Sequence, residues 1–124
     1  MMAVSDQPPL NPVEAEQHLW RFGQDIARGV RIVSDAEEAF TTADREYDRA
    51  KARAQLAADG KTVADREAQV ELATAEERDA KDVAWVAYQH AKRTMKAIES
   101  QLTAVQSIAA DLRQQYSVAG VRER

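Results

Sequence analysis

Apolar and small side chains recur three and four residues apart from Leu19 to Ala57, through Phe22, Ile26, Gly29, Val33, Ala36, Phe40, Ala43, Tyr47, Ala50 and Ala54, without a skip. A period of about 3.5 residues held this long predicts a long helix that buries a seam against a second helix. Large and small members alternate, which lets two backbones approach closely. A second stripe of the same kind is expected at Val70, Ala73, Glu77, Ala80, Ala84, Tyr88, Ala91, Met95, Ile98, Leu102, Val105, Ala109, Leu112 and Tyr116, with one four-four step at 80–84–88.

Capping signals bound these stripes. Asn11-Pro12-Val13-Glu14 reads as a helix start, with Asn11 as cap and Pro12 in the first helical position. The first helix then runs from Pro12 to about Ala58. Gly29 and the capping-box pattern Ser34-Asp35-Ala36-Glu37 leave room for a kink over 29–35, although the stripe crosses it in phase. Asp59-Gly60-Lys61 is the clear interior turn, with Gly60 suited to a left-handed cap. Thr62-Val63-Ala64-Asp65 opens the second helix, which is expected to reach about Ser117 and stop before Gly120.

The predicted fold is all-α: a long antiparallel helical hairpin over residues 11–120, with arms 12–58 and 62–117, a flexible tail at 1–10 and a short tail at 121–124. At the helical rise of about 1.5 Å per residue, the longer arm would span about 80 Å. Two helices alone do not cover Trp20, Ile32, Trp85, Val86 and Ile108. Assembly into a helical homo-oligomer is the simplest cover, the alternative being that the two tryptophans only widen the hairpin seam.

Composition supports long helices and narrows the chemistry. The 124 residues allow one domain, no proline follows Pro12, and alanine, glutamate, arginine, glutamine and lysine dominate. Aromatics make up 6% of the chain, so a compact core would be thin. The absence of cysteine excludes disulfides and thiolate metal sites. No signal-peptide pattern and no bilayer-length apolar run is found, so no membrane partner is expected and a cytoplasmic location is (host-cell cytoplasm if the gene is a phage's). A net charge of −4 weighs mildly against a simple polyanion binder.

No catalytic constellation converges, so the protein is not expected to be an enzyme, nor to carry a metal or cofactor. His18 and His90 lie on different arms, and Glu37-Glu38 and Glu76-Glu77 lack the Glu-x-x-His pattern of di-iron bundles. Gly60-Lys61-Thr62 ends like a phosphate loop, but the upstream glycine of that loop is missing and no strand precedes it.

Two basic groups remain. The first is Arg49, Lys51, Arg53, Lys61 and Arg66 about the turn. Lys51 and Arg53 flank the stripe on opposite sides and can reach phosphate while the seam stays buried. Alternatively, these cations pair with Asp48, Asp59, Asp65 and Glu67 and only solubilise the tip. The second is Lys92-Arg93 with Lys96; Trp85, Lys92 and Lys96 fall on one helical face, where a ring can stack a base beside charges on phosphate. Trp85 serves equally as an oligomer contact.

Asp48 to Lys61, DRAKARAQLAADGK, resembles the stretch that joins the helices of the UvsY recombination mediators of T-even bacteriophages, in which Lys-Ala-Arg precedes a glycine-containing turn. Lys51-Ala52-Arg53 and Gly60 carry that match. Ala97 to Arg113, AIESQLTAVQSIAADLR, resembles the family's closing helix at Ala97, Ile98, Ser100, Ala104, Ile108 and Arg113. The resemblance implies a homo-oligomeric accessory protein of phage DNA recombination and repair. Such a protein binds single-stranded DNA, weakens its hold by the single-strand-binding protein, and loads a strand-exchange recombinase, with Lys51 and Arg53 contacting DNA. Two readings stand beside it: a helical interaction protein without DNA affinity (assembly adaptor, host-protein inhibitor or secreted hairpin), and a sliding-clamp binder through Gln17, Leu19 and Phe22.

Overall fold

A computed structural model describes residues 11–122; the expected tail at 1–10 and the last two residues, 123–124, lie outside the described residues. The fold is all-helical: α1 (Pro12–Ala57), α2 (Val63–Ala73) and α3 (Ala75–Arg122), with no strand among the described residues. Two compact units form. One joins the segment ending at Val30 to the segment starting at Thr94, and the other is Arg31–Arg93.

The start of α1 follows its sequence signal. The Asn11 side-chain oxygen accepts the Glu14 backbone N–H at 2.9 Å, and the Asn11 carbonyl accepts that of Ala15 at 3.0 Å. These bonds satisfy two of the amide groups that a helix leaves open at its start. No break in α1 occurs over 29–35. Gly29 serves a close approach instead: a Cβ there would lie 2.5 Å from the Met95 sulfur. Its missing side chain is filled by Met95 from α3, and the helix passes through it intact.

In the first unit, Leu19, Phe22, Ile26 and Gly29 face Met95, Ile98, Leu102, Val105, Ala109 and Leu112 as buried or half-buried positions; Phe22, Val105 and Ala109 are the most enclosed, together with Ala15. Ile108 is half-buried as well, so the seam takes in a residue expected outside it. Tyr116, expected on the seam, is 54% exposed.

The Arg31–Arg93 unit is an antiparallel helical hairpin. Glu37 and Phe40 meet Tyr88, while Asp44 and Tyr47 meet Lys81, so rising numbers on α1 pair with falling numbers on α3. On α1, Val33, Ala36, Phe40, Ala43, Tyr47, Ala50 and Ala54 are all at least half-buried, as the stripe predicts, and only Ala57 is exposed.

The return stripe differs from expectation. Ala73 and Ala80 are exposed, and Thr74 and Lys81 take the seam in their place. The inward positions run 70, 74, 77, 81, 84, 88, 91, alternating four and three, and the expected four-four step disappears. The alanines offer a methyl group each. Lys81 offers a four-carbon stem whose ammonium reaches Asp44 at 3.2 Å and the Tyr47 ring at 5.0 Å.

A further departure is a break at Thr74, where one continuous helix was expected. Thr74 is 1% exposed, with φ −112° and ψ 13°. Its N–H and its hydroxyl both donate to the Val70 carbonyl, at 3.1 and 2.8 Å. Such back-bonding to the fourth residue upstream bends helices. The Glu71 carbonyl, which an unbroken helix would pair with the Ala75 amide, instead receives the Arg78 guanidinium at 2.8 Å. At its far end α3 continues through Gly120 to Arg122, past the expected stop near Ser117 and into the segment expected as a tail.

The turn is also built differently from its sequence signal. No described glycine has positive φ, so Gly60 is not a left-handed cap. Side chains of α2 close the turn: Gln69 accepts the Asp59 and Gly60 amides at 3.2 and 2.9 Å and donates to the Asp59 carboxylate at 2.7 Å, and Arg66 donates to the Gly60 carbonyl at 2.9 Å. Thr62 caps α2 as expected, accepting the Asp65 amide at 3.0 Å. Glycine is needed at position 60 because a Cβ would lie 2.7 Å from that of Asp65 and 3.0 Å from the Arg66 nitrogen.

Two glycine substitutions should therefore move stability in opposite directions. Gly60→Ala should destabilise by about 1–3 kcal/mol through overpacking of backbone. Gly23→Ala, whose Cβ would meet nothing within 4 Å on a helix interior, should stabilise by about 0.5–1 kcal/mol. Urea unfolding followed by far-UV circular dichroism reads both.

Candidate nucleic-acid interface

The turn of the Arg31–Arg93 unit carries the first basic group. Arg49, Lys51 and Arg53 occupy the last turns of α1, Lys61 precedes the α2 cap, and Arg66 lies in α2. All five are exposed, while Ala50 between them is buried and Ala54 half-buried. Lys51 and Arg53 thus flank a filled seam, as the spacing predicts.

The carboxylates near them do not take them up. Asp59 is held by Gln69, and among the described residues Arg49, Lys51, Arg53 and Lys61 have no ion pair or hydrogen bond. Arg66 is the exception in the group, bonded to the neutral Gly60 carbonyl. The tip has five cations against Asp48, Asp59, Asp65 and Glu67, a surplus of one. So small a surplus gives weak attraction per protomer at ordinary salt, where the screening length is about 8 Å.

The second basic group is less coherent. Lys92 places its ammonium 4.4 Å from the centre of the Tyr88 ring. Tyr88 in turn stacks on Phe40 at 6.3 Å and donates its hydroxyl to Glu37 at 2.8 Å. Lys92 is therefore already engaged within the seam's flank. Trp85 is 48% exposed and no ring or cation contact holds it among the described residues. Arg93 is exposed in the same unit; Lys96 is exposed in the other unit.

Sequence reasoning missed two polar side chains that shape the tip, Gln69, which ties the turn, and Arg78, which holds the broken helix, and it read Arg66 as a surface cation without its bond to the turn. The available signal was Thr74 at a seam position. A polar residue there invites a hydroxyl back-bond, and the carbonyl it frees needs a donor one turn later.

Of the two histidines, His18 is half-buried and His90 exposed, and they belong to different units. Among the described residues, no group of three or more histidine, aspartate or glutamate side chains could hold a metal ion, and no helix is long and apolar enough to cross a membrane. Comparison with known protein families, curated proteins and solved structures gives no match.

The Tyr88 hydroxyl has its pKa raised above the ordinary tyrosine value, first by its hydrogen bond to Glu37, then by burial and by the Glu37 charge. A raised folded-state pKa means that the neutral hydroxyl is favoured in the fold. Its contribution is fully present below the unfolded value of about 10 and is lost as pH rises through the folded pKa. Tyr88→Phe should lower stability at neutral pH and remove this share of the alkaline loss. Urea midpoints for both proteins from neutral to strongly alkaline pH check it.

Proposed function

We propose that this protein is a non-enzymatic, self-associating helical protein that binds single-stranded DNA. In phage recombination and repair it would act as an accessory to a strand-exchange recombinase, weakening the hold of the single-strand-binding protein and helping the recombinase to load. The observation that carries the reading is the tip: Lys51, Arg53 and Lys61 are exposed, without an ion pair among the described residues, beside a turn held closed by its own side chains. A turn already closed by hydrogen bonds lowers the backbone ordering cost of binding, leaving the lysine and arginine side chains to be immobilised. The resemblance of the Lys51-Ala52-Arg53 segment to the UvsY mediators supplies the role.

Self-association is the second part of the proposal. Trp20, Ile32, Trp85 and Val86 are 68, 59, 48 and 59% exposed, while among the described residues four of the six buried apolar side chains are alanines. Joining protomers would cover such residues and also join their tips. Linked weak sites can raise avidity by about 10²–10⁴ without a new contact, which is what a tip with one surplus cation needs. Lys92, Arg93, Lys96 and Trp85 would extend the strand's path in the assembled form. Such a protein would work in the host-cell cytoplasm.

One observation favours the second reading, an interaction protein without DNA affinity. Leu56 and Val63, on either side of the turn, are 90 and 63% exposed, apolar side chains open to a protein partner.

Titrating the protein with a fluorescent single-stranded oligonucleotide across a salt series, with mass by light scattering, separates the two. DNA binding should fall with salt by a log–log slope of about 0.7 per neutralised phosphate, and Lys51→Ala with Arg53→Ala should reduce that slope by about 1.4 at unchanged helicity and mass. An oligomer with no affinity even at low salt would establish the interaction protein instead.

A further inference from the structure

Between the end of α1 and the α2–Thr74–α3 segment lies a cleft of about 660 Å³. It belongs wholly to the Arg31–Arg93 unit. Lys51, Arg66 and Arg78 line it together with Glu67 and Glu71, and Tyr47, Val63 and Val70 supply apolar wall. Thr74, the point where the helix breaks, lies in its lining.

Charge and size limit what such a cleft takes. Arg78 is matched by Glu71 at 3.4 Å. Lys51 and Arg66 then stand against Glu67, and three cations less two carboxylates leave a single positive charge. That suits one phosphodiester rather than a di- or triphosphate. Arg66 gives one N–H to the Gly60 carbonyl, which leaves most of its guanidinium fork for a phosphate. Lys51 has no partner among the described residues. The volume lies within the range of about 300–1,000 Å³ usual for small-ligand sites, far more than a bare anion fills. The remainder is bounded by a tyrosine ring and two valines, an environment for a flat, weakly polar group.

We infer that this cleft holds one nucleotide of a bound single strand, its phosphodiester on Lys51 and Arg66 and its base toward Tyr47 and Val70. The inference rests on the single-strand reading above and deepens it. It turns a set of surface charges into a pocket with a base-sized compartment. Arg66 then has two tasks, closing the turn through Gly60 and holding phosphate, so an occupied cleft also stiffens the turn. Gln55 lines the cleft without any hydrogen bond among the described residues, so it can be altered without loss of a contact.

The full-length protein, bound to an oligothymidylate that carries 5-iodouracil, is irradiated and the adduct mapped by mass spectrometry. Tyr47 should carry it. Adducts confined to Trp85 or to other aromatics overturn the cleft. In parallel, oligonucleotide affinity is compared for Gln55→Glu and Leu56→Glu. Both add one negative charge at neighbouring exposed positions, but only Gln55 lines the cleft. Gln55→Glu should weaken binding roughly tenfold more than Leu56→Glu, since the added charge would sit against the phosphate. Equal losses overturn the proposal. Arg53→Ala, away from the cleft lining, reports on the tip alone. If it weakens binding while Gln55→Glu behaves like Leu56→Glu, the tip reading stands and the cleft falls. If the unaltered protein binds no oligonucleotide at low salt, both fall.

Discussion

The close seam between α1 and the chain that returns along it is the constraint on which the other features depend. Large side chains reach it only half-buried, and its fully buried members are mostly small: among the described residues, Ala15, Ala50, Ala91 and Ala109 are four of the six buried apolar residues. A buried methyl group contributes on the order of 0.8 kcal/mol, so stability must come from many short contacts and close backbone approach. Gly29 shows the approach at its tightest, with Met95 occupying the space of a side chain. Polar residues then reinforce the seam's edges: Lys81 bridges Asp44 and Tyr47, and Tyr88 joins Glu37, Phe40 and Lys92.

From that thin seam follow the two properties most relevant to function. Large apolar side chains that lie off it, Trp20 and Trp85 among them, stay at the surface, where the proposed association would cover them. The turn cannot rely on a core to fix it, and Gln69 and Arg66 fix it by hydrogen bonds instead. Cations surround a turn held in this way, and the cleft beside them is lined by the end of α1 and by the returning chain on both sides of the Thr74 break.

Much of the architecture was legible in the sequence. The α1 stripe from Leu19 to Ala54 holds position by position, because a strict heptad pattern leaves one face for burial. The Asn11 and Thr62 caps hold because each depends only on neighbours three residues away. What was not legible depended on side chains acting at a distance. Choosing Ala80 over Lys81 as a seam residue was a choice of apolar character over reach, and the partners Asp44 and Tyr47, which make Lys81 the better filler, lie more than thirty positions upstream. The Thr74 break was hidden in the same way, because its rescue by Arg78 joins residues that read separately as surface polar. At the candidate site, the exposed flanking positions of Lys51 and Arg53 were legible from the 200° that two residues turn about a helix; their lack of ion pairs was not, because Asp48, Asp59, Asp65 and Glu67 read as equally available partners. The cleft was not, since its lining joins the end of α1 to side chains from both sides of the Thr74 break.

The central claim is that so thin a seam is completed by association. Thermal unfolding over a roughly hundredfold range of protein concentration, with mass followed by light scattering, tests it most directly, because linkage makes the midpoint of an associating protein depend on concentration. The account predicts a midpoint that climbs with concentration and helix loss that coincides with dissociation. A monomer with a sharp, concentration-independent transition would contradict it.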